Sequence, residues 1–171
     1  MALITEDGTG KTDAESFCSV SAASAYHAKR ANTAWDNLDI DTQEALLRKA
    51  TDYMEQVYRA RWDGYRKTNT QALSWPRYDV LIKDAALAAY YANDAVPTGV
   101  INACAELALK ANSVELAPDI ERQVKKTKVD VIEVEYVEGA PVNTQYKAID
   151  NMLDPYFSSG GGSLNISVVR A

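Results

Sequence analysis

This chain is poor in the residues that most often carry chemistry. Among 171 residues there is one histidine, His27, and there are two cysteines, Cys18 and Cys104. A catalytic or metal-binding histidine needs partners, and no His/Cys/Asp cluster surrounds His27, so we expect a surface or half-buried helix residue. The cysteines are far apart and form neither a CxxC pair nor a disulfide framework, so two reduced, buried thiols are expected. G-x-S-x-G, H-E-x-x-H and a glycine fingerprint after a strand are all missing. Gly10-Lys11-Thr12 invites a phosphate-loop reading, but Thr5 stands where the first glycine of such a loop belongs, and no buried strand leads into it. A simple turn is expected there. The carboxylate pairs Asp36/Asp39 and Glu133/Glu135 lie among polar neighbours and read as exposed faces. We therefore expect no catalytic residue, no metal and no cofactor, and a binding or structural protein rather than an enzyme.

Long apolar runs are lacking too, so no membrane partner is expected. The first residues, Met1-Ala2-Leu3-Ile4-Thr5-Glu6-Asp7, lack the basic start and apolar stretch of a signal peptide, and we expect a protein made and kept in a cytoplasm. Acidic residues outnumber basic ones, for a net charge of −6. An acidic chain has no general electrostatic reason to hold DNA, because phosphate neutralisation supplies most non-specific affinity.

What is present is an ordinary globular balance, 47% apolar and 25% charged, in a length suited to one domain. Ten tyrosines against two phenylalanines are unusual. A tyrosine has an apolar ring and a polar tip, which suits surfaces buried against other proteins. The charge is uneven: residues 59–82 carry five Lys/Arg against two Asp/Glu, the only basic island in the chain.

Along the chain, Ala2-Leu3-Ile4 reads as a short strand or arm leading into the turn Glu6-Asp7-Gly8-Thr9-Gly10. Ser21 is a good N-cap for a first helix running to about Asn32, after which Trp35 and Leu38 pack a connecting loop onto the body. Asp41-Thr42-Gln43-Glu44 is a capping-box variant that starts a second helix ending near Tyr58. On it Leu46, Ala50, Tyr53, Met54 and Val57 form one apolar face, with Arg48, Asp52 and Glu55 opposite. Tyr65–Thr70 reads as a polar loop, and Trp75-Pro76 as an extended segment pinning it. Val80–Asn93 is ambiguous: its alanine-rich part, Lys83–Tyr91, is compatible with a short helix. Pro97 opens a third helix with Val100, Ile101, Cys104, Leu107, Ala108 and Ala111 inside. Residues 124–138 switch to a period of two and predict a small β-hairpin. A last helix spans Gln145–Leu153, stopped by Pro155. The fold class expected is mainly α: a small helical bundle with a short β-hairpin and an extended C-terminal tail. One domain covers 1–157. Residues 158–171 are a Gly/Ser linker followed by an alternating segment, whose Leu164, Ile166, Val168 and Val169 suit docking onto another chain's sheet or groove.

The basic island interleaves cations with aromatic rings: Tyr58, Arg59, Arg61, Trp62, Tyr65, Arg66 and Lys67. Single-stranded nucleic acid is gripped this way, with bases stacked on rings and phosphates meeting cations. The competing expectation is that Trp62 and Tyr65 complete the core while Arg59, Arg61, Arg66 and Lys67 meet acidic neighbours in this chain or in the next subunit; in an acidic chain it is favoured. Tyr53 and Trp75 are the expected core anchors beside them.

Several pieces together resemble the small phage proteins known as DnaT-like single-stranded-DNA-binding proteins, which in turn are similar to the head–tail connectors of long-tailed phages. They are Glu6-Asp7-Gly8-Thr9-Gly10; Ser19-Val20-Ser21 leading into Ala25-Tyr26; Arg48-Lys49-Ala50-Thr51-Asp52-Tyr53 with Tyr58, Arg61, Trp62 and Gly64; Gln71-Ala72-Leu73 with Trp75-Pro76-Arg77; Val96-Pro97 ahead of Ala105-Glu106-Leu107-Ala108; and Tyr146 with Ile149-Asp150. The chain departs from that pattern at Lys83–Tyr91. The resemblance implies a virion structural protein: a head-completion adaptor forming a ring, often of twelve subunits, under the portal. Its implied partners are the portal protein, engaged by the C-terminal tail, a tail-side connector or stopper protein, and other copies of itself. Double-stranded DNA would pass through the ring without specific binding on genome ejection. Its place would be the virion neck, after synthesis in the host cytoplasm. The alternative it carries is a single-stranded-DNA-binding replication accessory.

Overall fold

The computed structural model describes residues 2–118, 126–129, 132–135 and 146–158. The N-terminal turn forms first around a buried carboxylate. Glu6 accepts hydrogen bonds from the amides of Gly8, Gly10 and Lys11 at 2.8, 2.9 and 2.8 Å. These amides are the groups a phosphate loop would turn toward its ligand, and here the chain's own acid occupies them. The simple-turn expectation for Gly10-Lys11-Thr12 holds.

Helix α1 (Val20–Ala28) starts two residues earlier than expected, because Ser19 rather than Ser21 caps it: its hydroxyl accepts the Ala22 amide at 3.2 Å. It also ends earlier, at a turn where Ala31 takes φ 56°. His27 is fully buried, which corrects the surface expectation. Its Nε2 lies 3.1 Å from the Ala105 carbonyl and its Nδ1 3.2 Å from Asn32 Nδ2, so both ring nitrogens are matched inside the protein. The segment around Trp35 is a short helix, α2 (Thr33–Asp36), with Trp35 packed completely inside and its indole N–H donated to Ser24.

Helix α3 (Ile40–Tyr58) is capped by Asp39, not Asp41; Asp39 accepts the Thr42 amide at 2.9 Å and the Thr42 hydroxyl at 2.7 Å. Its buried face holds Leu46, Leu47, Ala50, Tyr53, Met54 and Tyr58. Each large side chain removed from water there contributes about 1.5–3 kcal/mol. Val57 was expected on this face and is exposed, because the last turn is covered on the Tyr58 side by Trp62 and Phe157.

Two short strands follow, β1 (Tyr65–Arg66) and β2 (Arg77–Tyr78), paired antiparallel with Tyr65 opposite Tyr78 and Arg66 opposite Arg77. This replaces part of the expected loop. Lys83–Tyr91 contains no helix. Instead the chain folds back on itself, with the Ile82 amide bonded to the Ala89 carbonyl at 2.8 Å and the Tyr91 amide to the Val80 carbonyl at 2.9 Å. Residues 83–88 are exposed, so a helix there would bury no face, and alanine propensity alone is too weak to hold so short a one.

Helix α4 (Thr98–Ala111) begins after Pro97 as expected and packs its Val100, Cys104, Leu107 and Ala108 against α3. Ile101 and Ala111 lie at the edge of that face, while Ala103 and Ala105 are buried in addition. Both cysteines are free and buried, as expected. Strands β3 (Lys126–Val129) and β4 (Ile132–Glu135) form the expected antiparallel hairpin, with Val129 opposite Ile132. Helix α5 (Lys147–Leu153) lays Ile149 and Leu153 on the core and runs into a 3₁₀ turn, Asp154–Tyr156, that contains Pro155. The protein is mainly helical with a small hairpin. No described helix is long and apolar enough to cross a membrane. The tail residues Leu164, Ile166, Val168 and Val169 lie outside the described residues.

Candidate nucleic-acid and partner interface

Gly64 sets the geometry of the basic island. It takes φ 63°, and a Cβ there would overlap the Tyr78 carbonyl, so only glycine lets the two strands close on each other. Asp79, at φ 60°, turns the chain at the other end of the pair. Side chains alternate along a strand, so the two arginines face the protein and the two tyrosines face out. Arg77 is buried; its Nε donates to the Asp63 carbonyl at 2.6 Å, and its Nη atoms donate to Ser74 and Gly64 at 3.1 and 2.7 Å. Burial pulls this guanidinium below its ordinary pKa, and three backbone carbonyls answer its charge. Arg66 donates to the Gln71 carbonyl. On the outer face Tyr65 is 72% exposed and Tyr78 40% exposed, two rings side by side across the strand pair.

Gln71-Ala72-Leu73-Ser74-Trp75-Pro76-Arg77 supports this pair from beneath. Buried Gln71 accepts the Thr68 amide at 2.8 Å and donates to the Leu73 and Pro76 carbonyls at 2.8 and 3.1 Å. Trp75 is fully buried, meets Trp62 edge-on at 5.8 Å, and precedes a cis peptide bond to Pro76. Tyr53 meets Tyr58 and Tyr146 edge-on at 6.1 and 5.6 Å. Tyr53 and Trp75 are core anchors, as the sequence predicts.

The other site residues divide. Trp62 is 5% exposed, wedged among Tyr58, Trp75 and Phe157, so it has no face for a base; it belongs to the core. Tyr65 goes the opposite way from the core expectation and stands in solvent. Arg61 pairs with Asp150 at 3.1 Å and lies over the Phe157 ring at 4.0 Å. The Lys67 ammonium donates to the Gly8 carbonyl at 3.0 Å. Arg59 is exposed at the end of α3. The structure therefore brings Arg61, Arg66 and Lys67 to acceptors within this chain.

Further large apolar side chains are exposed past the strand pair. Leu81 bridges to Tyr90, and Leu81, Leu87 and Tyr90 are all exposed, Leu87 to 84% and Tyr90 to 57%. Sequence reasoning missed Tyr78, Leu81, Leu87 and Tyr90. Strands of two residues carry no period to read, and the only signal available was the left-handed turn that Gly64 permits.

A second concavity of about 620 Å³ lies between α3 and the segment after α4, lined by Lys49, Asp52, Tyr53, Gln56 and residues 111–117. Burial raises the Asp52 carboxyl there. Among the described residues no group of His, Cys, Asp and Glu side chains is arranged to hold a metal ion.

Comparison with known proteins gives one finding. A family model described as "Putative DnaT-like ssDNA binding protein" matches residues 1–171. No curated protein and no solved structure matches the chain.

Proposed function

Because the chain belongs to the DnaT-like single-stranded-DNA-binding family, we propose that it acts by binding rather than by catalysis, and that single-stranded DNA stacks on its paired tyrosines. The observation that carries this reading is the cross-strand juxtaposition of Tyr65 and Tyr78, both exposed and paired on adjacent strands. Aromatic rings displayed on a strand pair accept bases of any sequence, at about 1–3 kcal/mol per stacked base. Arg59 and the island's other cations offer phosphates a local positive field within an acidic chain, so few counterions would be released. The salt dependence is then shallow: about two neutralised phosphates give a log–log slope near −1.4. The test is fluorescence anisotropy of a labelled oligo(dT). Tyr65→Ala and Tyr78→Ala should each weaken binding by about five- to a hundred-fold. An oligonucleotide that shows no change in anisotropy at low salt would remove the reading.

A second reading has its own support. Arg61, Arg66, Lys67 and Arg77 engage protein acceptors, and Leu81, Leu87 and Tyr90 are exposed apolar side chains, which suits a protein partner. On that reading the chain is the head–tail adaptor of a phage virion, its own copies forming a ring that binds the portal protein and a tail-side connector or stopper protein. Double-stranded DNA would slide through an acidic lumen without sticking. Electron micrographs of the chain mixed with portal assemblies would show added rings, lost on deleting residues 158–171. A truncated chain that joins portals as well as the full one would refute the tail's part in this.

A further inference from the structure

The hairpin β3–β4 divides its charge by strand. Its register sets Lys126 opposite Glu135 and Lys128 opposite Glu133, with Thr127 opposite Val134 and Val129 opposite Ile132. Successive residues of a strand lie on opposite faces. One face of the hairpin therefore takes all four charged residues, and the other takes Thr127, Val129, Ile132 and Val134. On the charged face β3 supplies only lysine and β4 only glutamate.

Among the described residues this sheet has two strands, and their chief contacts are with each other. The outer edge of each strand meets no other strand there. Two strands alone are marginally stable in water; a third strand or a packed face is what lets such a sheet hold. An outer edge also presents unpaired amides and carbonyls, a template for another chain's strand.

The charges select that strand. In a two-fold contact between copies an edge meets itself: β3 beside β3 puts lysine opposite lysine, and β4 beside β4 puts glutamate opposite glutamate. Like charges directly opposite each other are destabilising. Sliding such a pair by one residue relieves the repulsion, but it turns the apolar residues of one copy onto the charged face of the other. In a head-to-tail contact β4 of one copy meets β3 of the next. Copies that follow one another in the same orientation keep these strands antiparallel, so the register inside the hairpin repeats between copies, with lysine opposite glutamate.

We propose that the hairpin joins copies of this chain head to tail, β3 of one copy adding as an antiparallel strand to the outer edge of β4 in the next. The apolar residues of both copies then share one face of the joined sheet. Head-to-tail contacts close into a ring or run on as a filament, whereas a two-fold contact stops at a dimer. The contact would serve the ring of the adaptor reading but does not rest on it, and it holds equally for a chain that binds single-stranded DNA.

Disulfide trapping in the full-length chain tests the contact, since Cys18 and Cys104 are buried. Lys128→Cys chains mixed with Glu133→Cys chains should form a mixed disulfide dimer under mild oxidation. Either variant alone should form about ten-fold less, because head to tail its new thiol has no thiol opposite. Lys128→Cys chains that crosslink to one another as readily overturn the proposal in favour of a two-fold contact, and absence of the mixed dimer overturns it too. Sedimentation velocity adds a test by charge. Lys126→Glu/Lys128→Glu and Glu133→Lys/Glu135→Lys should each associate about ten-fold more weakly than the native chain. An equal mixture of the two should recover the native assembly, although the strands within each chain still carry like charge. A mixture no larger than its components refutes the pairing, as does a native chain that sediments as a monomer throughout. Neither experiment contains portal protein or oligonucleotide, so failure here leaves the adaptor and stacking readings to their own tests.

Discussion

The Glu55 carboxylate accepts two hydrogen bonds from Ser74, one from its amide at 2.7 Å and one from its hydroxyl at 2.8 Å. A single acid on α3 thus holds the Gln71–Arg77 segment, and with it Trp75 and the support for β2. Hydrogen bonds to a charged, partly buried group are worth about 1.5–3 kcal/mol. Glu55→Ala should lower unfolding stability by about 2–3 kcal/mol in a urea titration, and Glu55→Gln by less. An unchanged midpoint for Glu55→Ala would show that the segment is held without this acid.

The Glu6 carboxylate binds three amides of its own turn, and Gly8 fits under Asp94 with no room for a side chain. Glu6→Gln replaces one acceptor oxygen with a donor that faces the Lys11 amide. A loss of about 1–3 kcal/mol is expected in thermal or urea unfolding. Inorganic phosphate should not stabilise the native chain, since the turn's amides are already occupied; a phosphate-dependent rise in melting temperature would contradict this.

His27 makes acidification destabilising. Burial holds its imidazole below the ordinary value of 6.5, against smaller opposing effects from the Ala105 carbonyl and Glu106. Below pH 6.5 the unfolded chain takes up a proton that the folded chain refuses, so the unfolded state binds more protons and stability falls with pH. The slope reaches at most about 1.4 kcal/mol per pH unit and levels off below the folded pKa. Asp52, raised by burial, acts in the opposite sense. The difference between the native chain and His27→Gln therefore isolates the imidazole: the variant is less stable at neutral pH, but its stability should lose the downward slope between pH 6.5 and 5. Parallel profiles for the two chains would refute the assignment.

Cys18 and Cys104 are buried side by side in the core, where Cys104 lies 3.5 Å from the Thr51 hydroxyl. Burial pushes both thiols above their ordinary value, so little thiolate forms. Ellman's reagent should label neither in native buffer and both in denaturant. Stoichiometric labelling within seconds in native buffer would show that the core around Ser16 opens readily.

Much of the fold was legible because it repeats. A helix that buries one face imprints a 3.6-residue period, and Leu46, Ala50, Tyr53 and Met54 carried it for α3 as Val100, Cys104, Leu107 and Ala108 did for α4. The hairpin at 126–135 was legible from its period of two. The family pieces, above all Gln71–Arg77, were legible as a string of residue types, and the structure explains them as one hydrogen-bonded support built on Gln71, Glu55 and Trp75. The candidate site was half legible. The basic, aromatic composition marked the right stretch, and Trp62 packs in the core as the favoured reading has it, but Tyr65, expected beside it, stands in solvent.

The sequence by itself determined α1, α3, α4 and α5, the hairpin, the buried cysteines and the family, since each depends on local spacing or on residue identity. Only the tertiary structure decided which rings of the island face water, that Lys83–Tyr91 folds back instead of forming a helix, and that His27 lies wholly inside. Those outcomes turn on what packs against each side chain: Phe157, from a segment far along the chain, covers Trp62 and leaves Tyr65 bare. Spacing along one strand of sequence carries no record of such a neighbour.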